Sequence, residues 1–214
     1  MPNSFYYAAY SYLDEWLRAD SKFHDVLAFE KKNEKSAEEG TKWLVEVSKS
    51  YKVARTLKDI GEKPRLKAAY DALQEFTEPP NEGNVVRMVE SLAKALHKKY
   101  DLFALSAASK FLWMRFRSPI IIYDSVVSRW LHEKCAKKYD GYYAYYENWL
   151  CKYHEHEGQI RNACAELRSI KKFTLADQEP NEKIAEWTSS RWFTERVFDH
   201  FMLNDPVRNR QSGS

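Results

Sequence analysis

Glycine, proline and clusters of β-branched residues are scarce in this chain. Its 214 residues include six glycines and seven prolines, whereas leucine, alanine, lysine and glutamate are common. Strands depend on β-branched residues, so this composition favours helices. We predict an all-α fold, either one compact multi-helix domain or two helical lobes with a cleft between them. An apolar fraction of 44% is ample for a buried core and argues against disorder.

Cysteines are few, and long apolar runs are missing. Cys135, Cys151 and Cys164 are an odd number without a CxxC pair, which indicates neither a disulfide framework nor a thiolate zinc site. No apolar run approaches the roughly 18 residues of a membrane span, and the N-terminus lacks a basic region followed by a hydrophobic core. We therefore expect a cytoplasmic protein without a membrane partner.

One short segment, His154, Glu155, His156 and Glu157, has residue types that bind metals. Residues two apart point to different sides of a helix, and the pattern places no third ligand near them. We therefore expect no metal site and no other cofactor.

The net charge of +3 is unevenly distributed along the chain. Residues 94–138 carry ten Lys or Arg against three acids, a local charge of +7 that leaves −4 elsewhere. A positive zone on a slightly acidic body is typical of a polyanion binder, so we expect DNA as the partner. The ten cationic residues are Lys94, Lys98, Lys99, Lys110, Arg115, Arg117, Arg129, Lys134, Lys137 and Lys138.

The rest of the chain consists of helical segments between short turn signals. Ser36 followed by Glu39 has the form of a capping box ahead of a long amphipathic segment. The clearest loop spans residues 78–83 and is rich in proline, asparagine and glycine. We take it as the join between an N-terminal helical lobe (1–80) and a hairpin-containing catalytic-type region (81–204). Residues 205–214 are polar and expected to form a flexible tail.

The central stretch, residues 108–129, has the sharpest local signals. Its first ten residues have apolar side chains at helical spacing, and Ser118-Pro119 then ends that helix near Arg117. Three isoleucines at 120–122 predict an extended, buried run. Asp124 directly precedes the next helical segment, so it is a candidate N-cap that accepts a hydrogen bond from the Val126 or Val127 amide.

This order of elements resembles the helix-hairpin-helix DNA glycosylase superfamily. The resemblance covers about residues 90 to 135 and is strongest in Ser-Lys-Phe-Leu-Trp, Pro-Ile and Tyr-Asp-Ser, a pattern similar to that of small bacterial proteins described as 8-oxoguanine-glycosylase-like. In the bifunctional branch a lysine opens the second hairpin helix, and an aspartate caps the helix that follows. The resemblance places the lysine at Lys110 and the aspartate at Asp124.

The resemblance implies excision of a modified base such as 8-oxoguanine. Base excision builds positive charge on the deoxyribose, so a fixed carboxylate stabilises the transition state while an amine attacks C1′. The family pair implies a Schiff-base intermediate and strand cleavage by β-elimination. An attacking amine must be unprotonated, whereas a free lysine has a pKa of about 10.4 and is protonated at neutral pH.

Two departures from the family pattern bear on this interpretation. The turn from Leu102 to Ala108 has no glycine, although the family uses glycines there to bring backbone amides against a DNA phosphate. The fourteen-residue separation of Lys110 and Asp124 is shorter than in the longer enzymes.

Further site residues are chosen by residue type. Candidate DNA contacts are Ser109, Arg115, Arg117 and Arg129. Aromatic side chains can stack on a base taken out of the duplex. Candidate stacking residues are Trp113, Tyr123, Tyr142, Tyr146 and Trp149.

An alternative reading gives the same residues structural roles. Asp124 would only cap a helix, and Lys110 would be a solvated surface residue. The chain would then be a DNA-binding or partner-binding helical protein that keeps the scaffold without the chemistry.

Overall fold

The computed structural model describes residues 4–29, 36–58, 60–135 and 140–205. Those residues form helices and no β-strand, which confirms the predicted all-α fold. The α-helices are α1 (Phe5–Glu15), α2 (Ser21–Leu27), α3 (Ala37–Ser50), α4 (Lys67–Gln74), α5 (Val85–Tyr100), α6 (Leu105–Phe116), α7 (Ser125–Cys135), α8 (Gly141–Ile170), α9 (Asn181–Ser189) and α10 (Arg191–Leu203). A π-helical turn, Trp16–Asp20, follows α1, and a 3-10 turn, Lys171–Phe173, follows α8.

Capping and proline set several helix ends, including those that the sequence predicts at Ser36 and near Arg117. The Ser4 hydroxyl accepts a hydrogen bond from the Tyr7 amide (3.2 Å), and the Ser36 hydroxyl accepts one from the Glu39 amide (3.1 Å). Helix α6 ends at Phe116, one residue before the predicted position, and a cis Ser118-Pro119 bond follows it.

The chain divides into two compact units. The terminal unit comprises Met1–Ala19, Ser125–Tyr139 and Glu147–Ser214, and the central unit comprises Asp20–Asp124 and Asp140–Tyr146. The predicted join near residue 80 therefore lies inside the central unit. The physical reason is that α4 packs against α5 and α3 packs against α6, so residues on both sides of the 78–83 loop share one core. Residues 206–214 of the predicted tail lie outside the described residues.

In the central unit, α5 and α6 form the predicted pair of helices. The connection between them is only four residues long, because α6 already begins at Leu105 rather than after Ala108. The left-handed residue that ends α5 is Asp101, with φ 54°. Aspartate tolerates this conformation better than most side chains, which is how the turn forms without glycine.

In the terminal unit, α10 is buried along most of its length and packs against α1, α7 and α9. Its buried charges are paired within the unit. Arg196 Nη1 lies 2.7 Å from Asp199 Oδ2, and the Trp149 indole donates to Asp199 Oδ1 (2.9 Å). Burial raises the pKa of Asp199, although Arg196 and Trp149 both favour its ionised form.

Glu15 at the end of α1 joins this group of charges. Its Oε2 lies 3.3 Å from His200 Nε2, and its Oε1 lies 4.0 Å from Arg196 Nη2. Burial opposes ionisation of Glu15, but His200, Arg196 and Arg18 outweigh it and lower the pKa from 4.5 to about 2.

None of the helices in the described ranges combines the length and the apolar character that a membrane crossing requires.

The lowered Glu15 pKa makes acid stability a test of the terminal unit. The ionised carboxylate is favoured in the folded state, so its contribution is complete above pH 4.5 and is lost as the pH falls toward 2. We expect Glu15→Gln to flatten the fall of the melting temperature between these pH values. Glu186→Gln, at an exposed position of the same unit, is the control. Parallel curves for wild type and Glu15→Gln would contradict the assignment.

Candidate functional site

Lys110 and Asp124 meet in the central unit. The Lys110 Nζ lies 3.7 Å from Asp124 Oδ2. Lys110 is 6% exposed, and the Asp124 side chain is 28% exposed. The structure therefore pairs a nearly buried amine with a carboxylate that solvent can reach, and Lys110 is not the solvated residue of the alternative reading.

Lys110 lies in the second turn of α6 rather than opening that helix. It is the sixth residue of α6 because the helix begins at Leu105. Helical side chains point toward the N-terminus of their helix, and the Lys110 amine accordingly donates to the Ser106 hydroxyl one turn earlier (3.0 Å). The amine therefore reaches the first turn although its Cα does not.

The end of α3 supplies the next contacts of the amine. Tyr51 follows the last residue of α3, and its carbonyl accepts a hydrogen bond from Lys110 Nζ (3.4 Å). The amine also lies 5.8 Å from the centroid of the Tyr51 ring. The Tyr51 hydroxyl donates to Asp20 Oδ2 (2.9 Å), and Asp20 is 1% exposed. Tyr51 is thus held at its carbonyl by Lys110 and at its hydroxyl by Asp20.

Asp124 is positioned by the extended segment that precedes it. Ile120, Ile121 and Ile122 are buried, as the sequence predicts. The Tyr142 hydroxyl donates to the Ile121 carbonyl (2.6 Å), and the Tyr145 hydroxyl donates to the Ile122 carbonyl (2.8 Å).

A third hydrogen bond joins this segment to α6. The Ser109 hydroxyl accepts from the Tyr123 amide (2.9 Å) and donates to the Ser106 carbonyl (3.3 Å). Asp124 then directly precedes α7, which begins at Ser125. Its hydrogen bond to the Val126 or Val127 amide stays a prediction. Ser109 is fully buried, so it acts here as a link between backbones rather than as a surface contact to DNA.

Two opposing influences act on the Lys110 amine. Burial disfavours its charged form, while the Asp124 carboxylate, the Tyr51 carbonyl and the Tyr51 ring favour it. An amine that attacks an electrophile must first lose its proton. The carboxylate of Asp124 is close enough to accept that proton or to stabilise a neighbouring cation.

The three candidate arginines lie in different settings. Arg115 is 1% exposed and donates to the Phe76 carbonyl (3.3 Å) and to Gln74 Oε1 (3.1 Å). The Phe116 ring lies 5.4 Å from its guanidinium carbon. Arg115 therefore holds the interior of the central unit together and does not present a charge to DNA. Arg117 is partly exposed at the end of α6 with φ 58°, and Arg129 is exposed on α7.

Most of the candidate stacking residues are core residues. Trp113, Tyr142 and Trp149 are fully buried, and Tyr146 is 2% exposed. A base cannot reach a buried ring without unfolding the core around it. The prediction that these four residues stack on a base is therefore wrong, and they pack in the core. Tyr123 is partly exposed, and its ring lies 4.8 Å from that of Tyr145.

Sequence reasoning missed several residues that shape the site. Ser106 had a local signal, because it lies one helical turn before Lys110. Tyr51 had none, since it is 59 residues away along the chain.

Comparison of the chain with protein-family models, curated proteins and solved structures finds no match.

The tyrosine hydroxyls that hold the segment before Asp124 can be tested directly. We expect Tyr142→Phe to leave the buried Ile121 carbonyl without its donor and to lower the free energy of unfolding by about 1–3 kcal/mol. Tyr143→Phe is the matched control, because Tyr143 is the next residue and 62% exposed. Chemical denaturation of both variants is the measurement, and equal stabilities would show that the Tyr142 hydroxyl does not hold the segment.

Proposed function

We propose that this chain is a helix-hairpin-helix DNA glycosylase with lyase activity that removes a modified base such as 8-oxoguanine. The observation that supports the proposal is the 3.7 Å approach of Lys110 Nζ to Asp124 Oδ2. The resemblance in residues 90 to 135 singles out these two side chains, and they come together although they are fourteen positions apart along the chain.

In the proposed reaction, the neutral Lys110 amine forms a bond to C1′ of the damaged nucleotide. The glycosidic bond breaks, and its electron pair leaves with the base, which takes up a proton. Asp124 stabilises the positive charge that develops on the sugar and accepts a proton from the attacking amine. Opening of the sugar ring gives a Schiff base on Lys110, and loss of a proton from C2′ then expels the 3′ phosphate by β-elimination.

The contacts of Lys110 serve this reaction by fixing the amine before substrate binds. A lysine normally has many rotamers, and holding one of them removes an entropic cost from the reactive step. Ser106 and Tyr51 hold the amine beside Asp124 in this way.

Extruding a nucleotide from the duplex requires a side chain to fill the gap. Phe103 suits this role, because it is an apolar ring that is 46% exposed in the connection between α5 and α6. Tyr123, directly before Asp124, supplies a partly exposed ring against which the extruded base can stack.

Borohydride trapping tests the lysine. We expect wild-type protein incubated with an abasic or 8-oxoguanine duplex and borohydride to form a covalent adduct, because borohydride reduces a Schiff base to a stable amine. Lys110→Gln should abolish the adduct, and Lys172→Gln, at an exposed position, should retain it. An undiminished adduct in Lys110→Gln would refute the assignment.

The aspartate needs a separate variant. We expect Asp124→Asn to lose excision by several orders of magnitude, since the amide lacks the charge that stabilises the sugar cation. The fold should be largely retained, with a modest fall in melting temperature, because the amide keeps the shape and an acceptor oxygen but removes the charge opposite Lys110. A large fall in melting temperature with undiminished specific activity would identify Asp124 as a structural cap.

The second candidate function is a non-catalytic DNA-binding or partner-binding protein. It is favoured by the contacts of Lys110 with Ser106, Tyr51 and Asp124, which also describe a stable structural ion pair. Salt-dependent DNA binding without adduct or excision would select this function.

A further inference from the structure

The connection between α3 and α4 carries a concentration of positive charge that begins at the candidate site. Residues 51–67 contain six Lys or Arg and two acids. The connection starts with Tyr51, whose carbonyl contacts the Lys110 amine. Its cations therefore lie outside the basic zone of residues 94–138, on a connection whose first residue contacts that lysine.

Four of these cations are exposed, namely Lys52, Arg55, Lys58 and Lys63. Within the described residues, none of the four has a side-chain hydrogen bond or an ion pair. The other two are engaged, because Arg65 donates to the Ala54 and Leu57 carbonyls and Lys67 pairs with Asp71.

Glu62, which precedes Lys63, forms hydrogen bonds with other parts of the central unit. Glu62 Oε1 accepts a hydrogen bond from the Tyr100 hydroxyl (2.5 Å), and its Oε2 accepts one from the Ala68 amide (2.9 Å). Burial and the Glu62 carboxylate together raise the pKa of Tyr100, so the tyrosine keeps its proton and remains a donor. Glu62 thus orders the connection.

The backbone of the connection is fixed although it is not helical. The Lys52 amide donates to the Lys49 carbonyl (3.1 Å), and the Val53 amide donates to the Ser48 carbonyl (2.8 Å). These two bonds form a Schellman motif at the end of α3. Val53 and Leu57 are buried, so the cationic side chains extend from an anchored loop.

Lys52 occupies the position of the motif where glycine is usual. Its φ of 56° is in the left-handed region, which disfavours any residue with a side chain. Strained backbone positions of this kind cluster at functional sites, and Lys52 directly follows Tyr51, which contacts the Lys110 amine.

We propose that Lys52, Arg55 and Lys58 bind the phosphodiester backbone of the DNA strand that presents its sugar to Lys110. The proposal rests on the proposed function for the identity of the DNA. Lys52 is adjacent to Tyr51, so its Cα lies about 3.8 Å from that of the residue in contact with the Lys110 amine. A DNA sugar that reaches Lys110 carries a phosphate on its neighbouring backbone atoms. That phosphate is the anion we assign to Lys52.

The test removes the three charges and measures the salt dependence of binding. The probe is a short duplex with a tetrahydrofuran abasic analogue, which cannot form a Schiff base. We expect Lys52→Gly combined with Arg55→Gln and Lys58→Gln to weaken binding. The slope of log affinity against log salt should fall by about 2 to 3, since each lost phosphate contact accounts for about 0.9.

Two controls separate charge from folding. Lys52→Arg with Arg55→Lys and Lys58→Arg keeps the charges and should keep the slope. Arg168→Gln with Lys172→Gln and Lys183→Gln removes three exposed cations of the terminal unit and should also keep it. Lys52→Gly alone should raise or preserve the melting temperature while weakening DNA binding, because glycine relieves the positive φ. This pair of effects cannot arise from a damaged fold.

The outcomes distinguish this inference from the proposed function. An unchanged slope in the triple variant, with borohydride trapping intact in wild type, overturns the phosphate contact and leaves the glycosylase standing. A reduced slope without trapping upholds the contact and removes the chemistry. Absence of any DNA binding by wild type overturns both.

Discussion

The central unit depends on keeping a lysine amine out of water beside a carboxylate. Removing a charged group from solvent costs several kcal/mol unless hydrogen-bond acceptors and opposite charge replace the water. For Lys110 they come from the Ser106 hydroxyl, the Tyr51 carbonyl and Asp124. These residues belong to three different parts of the unit, so the pair forms only when α3, α6 and the segment before α7 are all in place.

The tyrosines of the central unit support this arrangement mainly through their hydroxyl groups. Tyr142 and Tyr145 donate to consecutive carbonyls of the extended segment, and Tyr51 donates to Asp20. An extended segment in a helical core has backbone carbonyls without helical partners, and a buried carbonyl without a donor is costly. In the sequence, the aromatic cluster at 142–146 resembles a stacking surface. In the structure, its hydroxyl groups hold the extended segment that positions the Asp124 carboxylate.

The limits of sequence reasoning follow from the range of each interaction. The all-α fold, the end of α6 at the proline, the buried isoleucines and the position of Asp124 before α7 were predictable, because local signals determine them. The division into units was not, since the packing of α4 on α5 and of α3 on α6 is a long-range property. The roles of Arg115 and Tyr142 were not predictable from the sequence either. Their residue types suggest DNA binding and base stacking, but both side chains are buried and pack in the central unit. The contact of Lys110 with Tyr51 left no pattern in the sequence.

We propose that the Lys110 amine itself reacts with the sugar of the damaged nucleotide. The most direct measurement is peptide mass mapping of wild-type protein after borohydride reduction on an abasic duplex and digestion of the DNA. The mass of the reduced sugar adduct should be found on the peptide that contains Lys110, with the modification at that residue. An adduct on a different lysine or on the N-terminal amine would contradict the claim.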